Sequence, residues 1–190
     1  MEERTTIYTA ITGKDKERSD IKVFREYSKF VLPVMNAKIY KILPWLFLNC
    51  DISIWVDGNI FPLVEKERLV KEFLKDADMA IFKHPDRDCI YDEAPACKGL
   101  YPNNDYHKRI DEQIAYYQAK GIEGKGMAEC NFIIRRHNKK VKDFCNDWWS
   151  HICRFSERDQ LSYPVVDKDL KINYIKGNIR NHPYFKYIPH

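Results

Sequence analysis

The sequence has 190 residues, of which 44% are hydrophobic and 32% are charged, and its formal net charge is +4. These values are ordinary for a soluble protein, so we expect a single domain over residues 1–190. The charges are interspersed and form no basic stripe, which argues against nucleic-acid binding and leaves a diphosphate-bearing ligand or an anionic membrane surface as suitable partners.

In chain order, apolar periodicity and turn residues predict alternating strands and helices. The predicted strands are residues 7–12, the run ending at Asp57, 79–83, 131–135 and 171–175, and the predicted helices are 37–48, 64–74, 104–120 and 139–154. Pro44 must kink the first helix or start a second turn. Alternation of this kind predicts an α/β domain with three layers, α/β/α, around a mostly parallel sheet.

The cysteines and the N-terminus bear on the compartment. The six cysteines form no CxxC pair, so a zinc site is not expected, and reduced thiols in a cytoplasmic protein are the simplest interpretation. The sequence shows no signal peptide and no apolar run long enough to cross a bilayer, so we expect no transmembrane segment. Peripheral membrane association stays open.

The most informative pattern is the apolar run from Ile52 to Val56, which ends in Asp57-Gly58-Asn59. Ligands bind at strand ends in α/β domains. A carboxylate and an amide placed there suit a divalent cation, which in turn suits a diphosphate. The pattern favours an enzyme that uses a nucleotide-sugar donor, although an ordinary turn closing a strand would look the same.

A dense run of titratable residues follows the predicted 79–83 strand and contains His84, Arg87 and Glu93. Such a run is typical of a functional loop, and these three side chains could bind sugar hydroxyls or phosphate. A solvated loop with local ion pairs is the alternative.

Two later residues also carry two interpretations each. Asp159 follows the strongly amphipathic 139–154 helix and suits either a general base for an acceptor hydroxyl or a helix cap held by Arg158. His182 lies in a tail rich in Pro, His and Tyr and suits either a third ligand of the metal begun by Asp57 or a plain surface residue.

Four segments in this order resemble a known family: SIWVDGNI, FKHPDRDCIYDEA, AECNFIIRRHN and WWSHICRFSERDQLSYPVV. Together they resemble the glycosyltransferase-like domain found in plant Golgi proteins, in bacterial sugar-coat loci and in a chlorella-virus glycosyltransferase. The resemblance spans about residues 7–166. It implies a GT-A-like α/β fold in which Asp57-Gly58-Asn59 is the metal motif, with Asn59 in place of a second aspartate.

The resemblance also implies roles for individual residues. The nucleotide and its diphosphate are expected at Thr9, Ala10, Thr12, Gly13, Lys41, Asp57 and Gly58, and the metal at Asp57, Asn59 and, more weakly, His182. Asp159 is expected at the reacting sugar, as base or as support for an oxocarbenium-like transition state. Glu129 and Asn131 are expected on the acceptor side.

The function implied is that of a metal-dependent glycosyltransferase of the hexosyltransferase type. It would use Mn²⁺ or Mg²⁺ and a nucleotide-sugar donor, for which UDP is the expected nucleotide, and a glycan or lipid-linked glycan acceptor in polysaccharide biosynthesis. Two alternatives remain from the sequence. One is a sugar nucleotidyltransferase, for which the Thr12-Gly13-Lys14 segment is a poor phosphate loop. The other is a transferase-like module that binds glycan without catalysis, which the aspartate-to-asparagine departure at Asn59 keeps open.

Overall fold

The structure is a computed structural model that describes residues 3–12, 18–100, 103–167 and 169–189. Within these ranges the strands are β1 (Thr5–Ala10), β2 (Lys22–Phe24), β3 (Ile52–Val56), β4 (Ile60–Pro62), β5 (Met79–Lys83), β6 (Ala128–Arg136), β7 (Ile172–Ile175) and β8 (Phe185–Tyr187). The α-helices are α1 (Pro33–Ile42), α2 (Lys66–Leu69), α3 (Ile90–Leu100), α4 (Asn104–Ala119), α5 (Lys139–Arg154) and α6 (Asp159–Ser162).

In the described part of the chain, the central sheet has six strands in the order β2-β1-β3-β6-β5-β7. β1 is parallel to β2 and β3, and β5 is parallel to β7, whereas β6 runs antiparallel to both of its neighbours, β3 and β5. A second, two-stranded sheet joins β4 to β8. The predicted α/β class with a mostly parallel central sheet is confirmed.

Alternate residues of the central strands bury their side chains on opposite faces of the sheet, as the two-residue period of a strand requires. On β3, Trp55 packs with residues of α1 and α5, whereas Ile52, Ile54 and Val56 pack with the α2 region on the other face. Helices therefore cover both faces, which is why all five residues of β3 are buried and four of them are apolar. A third apolar cluster holds α3 and α4 together with Leu161.

Prolines explain where the first helix departs from its predicted range. α1 begins at Pro33, whose fixed φ suits the first helical position. The helix ends at Ile42, and Pro44 starts a separate 3₁₀ turn, Pro44–Leu46. The predicted 64–74 helix is α2 followed directly by a π-helical stretch, Val70–Leu74.

The predicted functional loop after β5 is shorter than expected, because α3 begins at Ile90 and carries Glu93. The short strands β2, β4 and β8 were not predicted, since three residues carry too little periodicity. No helix in the described ranges is both long and apolar enough to span a membrane.

Candidate functional site

A cleft of about 380 Å³ lies at the carboxyl ends of β3 and β5, where Asp57 and His84 follow the two strands. Because β6 is antiparallel to both, its first residues reach the same edge of the sheet and contribute Glu129 and Asn131 to the cleft. The register of β5 against β6 shifts at Phe82, which lies opposite Glu129. Such an irregularity re-aims side chains near a site.

Charged side chains of both signs line the cleft in equal numbers. Within the described residues the five cations are Lys38, Lys41, Arg87, Arg158 and Arg180, and the five carboxylates are Asp57, Asp86, Glu93, Glu129 and Asp159. A dense mixture of this kind, drawn from six separate segments of the chain, is typical of a binding or catalytic site.

Asp57 begins a tight turn that leads from β3 to β4. The Ile60 amide donates to the Asp57 carbonyl at 2.9 Å, so Gly58 and Asn59 are the two central turn residues. The Asp57 carboxylate receives the Trp55 indole N–H at 2.8 Å and the Lys41 ammonium at 3.4 Å, both on Oδ1. Asn59 also lines the cleft. The turn and the ligand-binding interpretations of this motif are therefore compatible.

Lys41 links Asp57 to Asp159 in the floor of the cleft. Its Nζ lies 2.7 Å from Asp159 Oδ2, and the Nζ of Lys38, one helical turn earlier on α1, lies 3.0 Å from the same oxygen. Burial acts to raise the pKa of Asp159, but the attraction of Lys38 and Lys41 outweighs it and holds the pKa well below its usual range. Asp159 is therefore an anion shared by two ammonium groups.

The two lysines differ in their own ionisation. Burial acts to lower the pKa of Lys41, but Asp159 and Asp57 outweigh it and raise the pKa. For Lys38 burial is again the largest effect, and the pKa stays lowered despite the attraction of Asp159. Lys41 is thus the more firmly charged of the pair.

The preceding helix α5 holds Asp159 in place. The Trp148 indole N–H donates to the Asp159 carbonyl at 3.0 Å, and the Gln160 amide donates to Asp159 Oδ1 at 3.1 Å. Asp159 is the first residue of α6, and the cap pairing with Arg158 does not form because Arg158 turns to Glu93.

Glu93 is 1% exposed and joins two arginines at one side of the cleft. It pairs closely with Arg87, and Arg158 Nη2 lies 3.3 Å from its other oxygen. Burial acts to raise the pKa of Glu93, but the bond from Arg87 helps to hold the pKa below its ordinary value. His84 Nδ1 accepts the Arg87 amide at 3.0 Å. Glu93 therefore positions arginines in the cleft, which is a supporting role beside the substrate-binding role expected for it.

Glu129 is a third buried carboxylate of the cleft, after Asp159 and Glu93. Its Oε1 lies 2.5 Å from Arg180, a residue of the 3₁₀ turn Ile179–Asn181 near the chain's end. Burial raises the pKa of Glu129, and Arg180 only partly opposes the rise. Glu129 Oε2 and Asn131 Oδ1 are buried polar atoms for which the described residues supply no hydrogen-bond partner.

Several predicted site residues lie elsewhere. Thr9 is fully buried in β1, and neither Thr9, Ala10 nor Thr12 lines the cleft. Gly13 lies outside the described residues. The nucleotide contacts expected at these positions stay predictions.

His182 does not line the cleft with Asp57. Its ring packs against Phe73 and Phe185, with centroids 5.4 and 5.7 Å away, and its Nδ1 accepts the Tyr184 amide at 3.2 Å. The aromatic cluster on the α2 face holds the imidazole there. The metal role expected for His182 gains no support from this placement, and the tail residues that do line the cleft include Arg180 and Tyr187.

The fit of a divalent cation rests on Asp57 and Asn59. Over the described part of the chain, no three His, Cys, Asp or Glu side chains are grouped closely enough to hold an ion by themselves. Mg²⁺ in nucleotide sites takes one or two carboxylates and completes its shell with phosphate and water. Asp57 is 39% exposed in the cleft and its described contacts go to Oδ1 alone, so the residues present fit that kind of ion.

Sequence reasoning missed Lys38 and Arg180 as cleft residues. Lys38 had a usable signal, because it lies three residues before Lys41 on a predicted helix and therefore on the same face. Arg180 had none, since the packing of β8 against β4 alone brings its segment to the cleft.

Comparison with known proteins places this site in a family context. The sequence model described as "TOD1/MUCI70, glycosyltransferase-like domain" matches residues 21–185. A protein of Arabidopsis thaliana named "Probable hexosyltransferase MUCI70" is 30% identical over 145 residues, which cover 69% of this chain and 24% of that protein. The chain thus spans about a quarter of this relative's length. A solved structure, A197 from STIV, aligns with a TM-score of 0.45 and 10% identity over 91% of this chain and 82% of that one.

Proposed function

Since the chain belongs to the TOD1/MUCI70 glycosyltransferase-like domain family, we propose that it transfers a sugar, of the hexosyl type, from a nucleotide-diphosphate donor to a hydroxyl group of a glycan. The observation that carries this proposal is the linked set Asp57–Lys41–Asp159 at the carboxyl edge of a mostly parallel sheet. It combines an exposed carboxylate for a cation with buried ammonium groups for phosphate.

The donor diphosphate would lie beside Asp57, Lys41 and Arg180. Cations at developing negative charge stabilise a leaving diphosphate, most strongly in a site that excludes water. A bound Mn²⁺ or Mg²⁺ would be held by Asp57 and Asn59 and would offset the charge of the diphosphate. UDP is the nucleotide we propose, from the family resemblance.

Two of the buried carboxylates, Asp159 and Glu129, differ in a way that favours separate roles. A pair whose surroundings push the two pKa values apart marks the acid–base assignments in many sites. The lowered pKa of Asp159 and its two ion pairs suit an anion that supports positive charge on the reacting sugar, whereas the raised pKa of Glu129 suits a proton acceptor. The base role expected for Asp159 stays a prediction, and these ion pairs weigh against it.

Transfer would then proceed from an acceptor hydroxyl beside Glu129. The hydroxyl oxygen forms a bond with the anomeric carbon, the bond from that carbon to the diphosphate oxygen breaks, and Glu129 takes the hydroxyl proton. Lys38 and Lys41 hold Asp159 in place during the step.

The first test is a thermal-shift screen of UDP-, GDP- and dTDP-sugars, each with and without Mn²⁺. At a concentration one hundred times Kd, binding adds about 2.7 kcal/mol to the stability. In a chain of this length that raises Tm by about 5–10 °C. A shift that needs both one nucleotide and the metal, and that Asp57→Ala removes, is the expected result. Full donor affinity in Asp57→Ala would refute the metal role.

Turnover separates the transferase from a glycan-binding module that lacks catalysis. Nucleoside diphosphate release is measured for wild type, Glu129→Gln and Asp159→Asn with the donor found in the screen. Both variants should bind donor and lose transfer by about 100-fold or more. Donor binding without any release by the wild type would favour the module.

A further inference from the structure

A second cavity, of about 360 Å³, opens beside the cleft and shares two of its walls. Lys38 and Arg158 line both cavities. We name this second cavity the side pocket; its other walls are Leu32, Val34, Asn103, Tyr106, Arg109 and Glu157. The side pocket therefore adjoins the cleft at Lys38, the residue that pairs with Asp159.

One face of α1 connects the two cavities. Val34, Lys38 and Lys41 stand at positions i, i+4 and i+7, which share a helix face. Val34 lines the side pocket, Lys38 lines both cavities, and Lys41 lines the cleft. Four residues of helix rise about 6 Å. The part of α1 that lines the side pocket at Val34 thus lies about 6 Å along the helix axis from Lys38, which is close to the width of one sugar ring.

The lining of the side pocket has two kinds of surface. Leu32 and Val34 leave 42% and 39% of their surface exposed, although both are aliphatic. Arg109 lines the same pocket, and its Nη2 donates to both Glu157 oxygens, at 3.0 and 3.1 Å. A pyranose ring presents C–H groups on its faces and hydroxyls around its rim, so it matches an aliphatic patch beside a polar pair.

We propose that the side pocket binds the second sugar unit of an oligosaccharide acceptor, next to the unit that receives the transferred sugar. This inference rests on the transferase function proposed above. It assigns a specificity role to Val34 and Leu32, and it makes an acceptor of two or more units a better substrate than a single sugar.

The experiment compares gluco-, xylo-, manno- and galacto-oligosaccharides of one to four units as acceptors. Diphosphate release is followed with the donor from the thermal-shift screen, for wild type, Val34→Ser and Val31→Ser. Val31 is the matched control, because it is the same residue type three positions away, is 98% exposed and does not line the side pocket. Serine suits the first turn of a helix, so Val34→Ser is expected to fold.

For the wild type we expect kcat/KM to rise about tenfold from one unit to two, as one added contact surface in a pocket can supply. Val34→Ser should bring this ratio close to one, and Val31→Ser should keep the wild-type ratio. Equal ratios in all three proteins, or no gain with the second unit, would overturn the proposal. An octyl glycoside of the single sugar that gains as much as the disaccharide would also overturn it, because the pocket would then hold an apolar chain.

Calorimetry with the same acceptors keeps this test independent of catalysis. If donor binds but no diphosphate is released, the transferase function fails. The side-pocket proposal would still be supported if a two-unit acceptor binds about tenfold more tightly to wild type and to Val31→Ser than to Val34→Ser. If no oligosaccharide binds any of the three proteins while donor turnover to water proceeds, the side-pocket proposal alone fails.

Discussion

Arg135 offers the sharpest test of how the C-terminal end of α1 is held in place. Its guanidinium is fully buried at the C-terminal end of α1. It donates to the carbonyls of Lys41 and Ile42, at 2.5 and 3.2 Å, and to the Tyr8 hydroxyl at 3.0 Å. The last carbonyls of a helix have no hydrogen-bond donor within the helix, so Arg135 supplies donors to the end of α1. Its positive charge also interacts favourably with the negative end of the helix dipole.

The substitution Arg135→Met removes these donors and leaves both carbonyls buried. The Tyr8 hydroxyl donates to the Tyr40 carbonyl at 3.0 Å and lies 3.4 Å from the Lys41 carbonyl, so it offers that carbonyl only a weak second donor. Each buried acceptor without a donor costs about 1–3 kcal/mol, so we expect a loss of about 3 kcal/mol in the free energy of unfolding. Removing a buried charge also removes its desolvation cost, but that gain dominates only when the partners are replaced as well.

Urea titration at pH 7 measures the loss directly, and a thermal melt should show Tm lower by about 6–12 °C. Arg136→Met is the matched control. The Arg136 side chain is 25% exposed and bonds the carbonyl of Lys75, an exposed residue, as well as that of Ala77, so we expect a smaller loss of about 1 kcal/mol in the free energy of unfolding. Equal stability of Arg135→Met and wild type would refute the reasoning, because it would mean that the buried charge costs as much as its hydrogen bonds contribute.

Three further outcomes follow from the structure. Gly124 has φ +69°, and a Cβ there would lie 2.5 Å from Ile90, so Gly124→Ala should lower the free energy of unfolding by about 2 kcal/mol or more. Gly121→Ala is the control and should lower it by about 1 kcal/mol, because a Cβ at Gly121 meets no described atom within 4 Å. Burial lowers the pKa of His137 to about 4. As the pH falls, the unfolded chain therefore binds a proton at His137 at a higher pH than the folded chain does. The free energy of unfolding should fall by about 2 kcal/mol from pH 7 to pH 5, measured by urea titration, and His137→Gln should reduce this dependence on pH. Glu93→Gln should lower Tm and weaken donor or acceptor binding, because it leaves two arginines without their buried carboxylate; unchanged melting and binding would contradict its supporting role.

The sequence by itself determined the elements with a long, clear period. The α5 stripe from Val141 to Ile152 and the apolar run of β3 are visible because burial against a sheet or a helix imposes a fixed spacing on apolar residues. The order of strands and helices was enough to predict the α/β class. The Asp57 motif was visible for a related reason, since polar residues interrupt an apolar strand where it reaches solvent.

The composition of the cleft was decided only by the tertiary structure. Lys41 and Asp159 are 118 positions apart, yet their side chains meet, because the sheet order places α1 and the end of α5 on the same face. Arg180 reaches Glu129 and His182 does not reach Asp57, because the pairing of β8 with β4 sets how the tail folds back. Such contacts depend on which surfaces pack together in the folded protein, and the spacing of residues along the chain does not predict that packing.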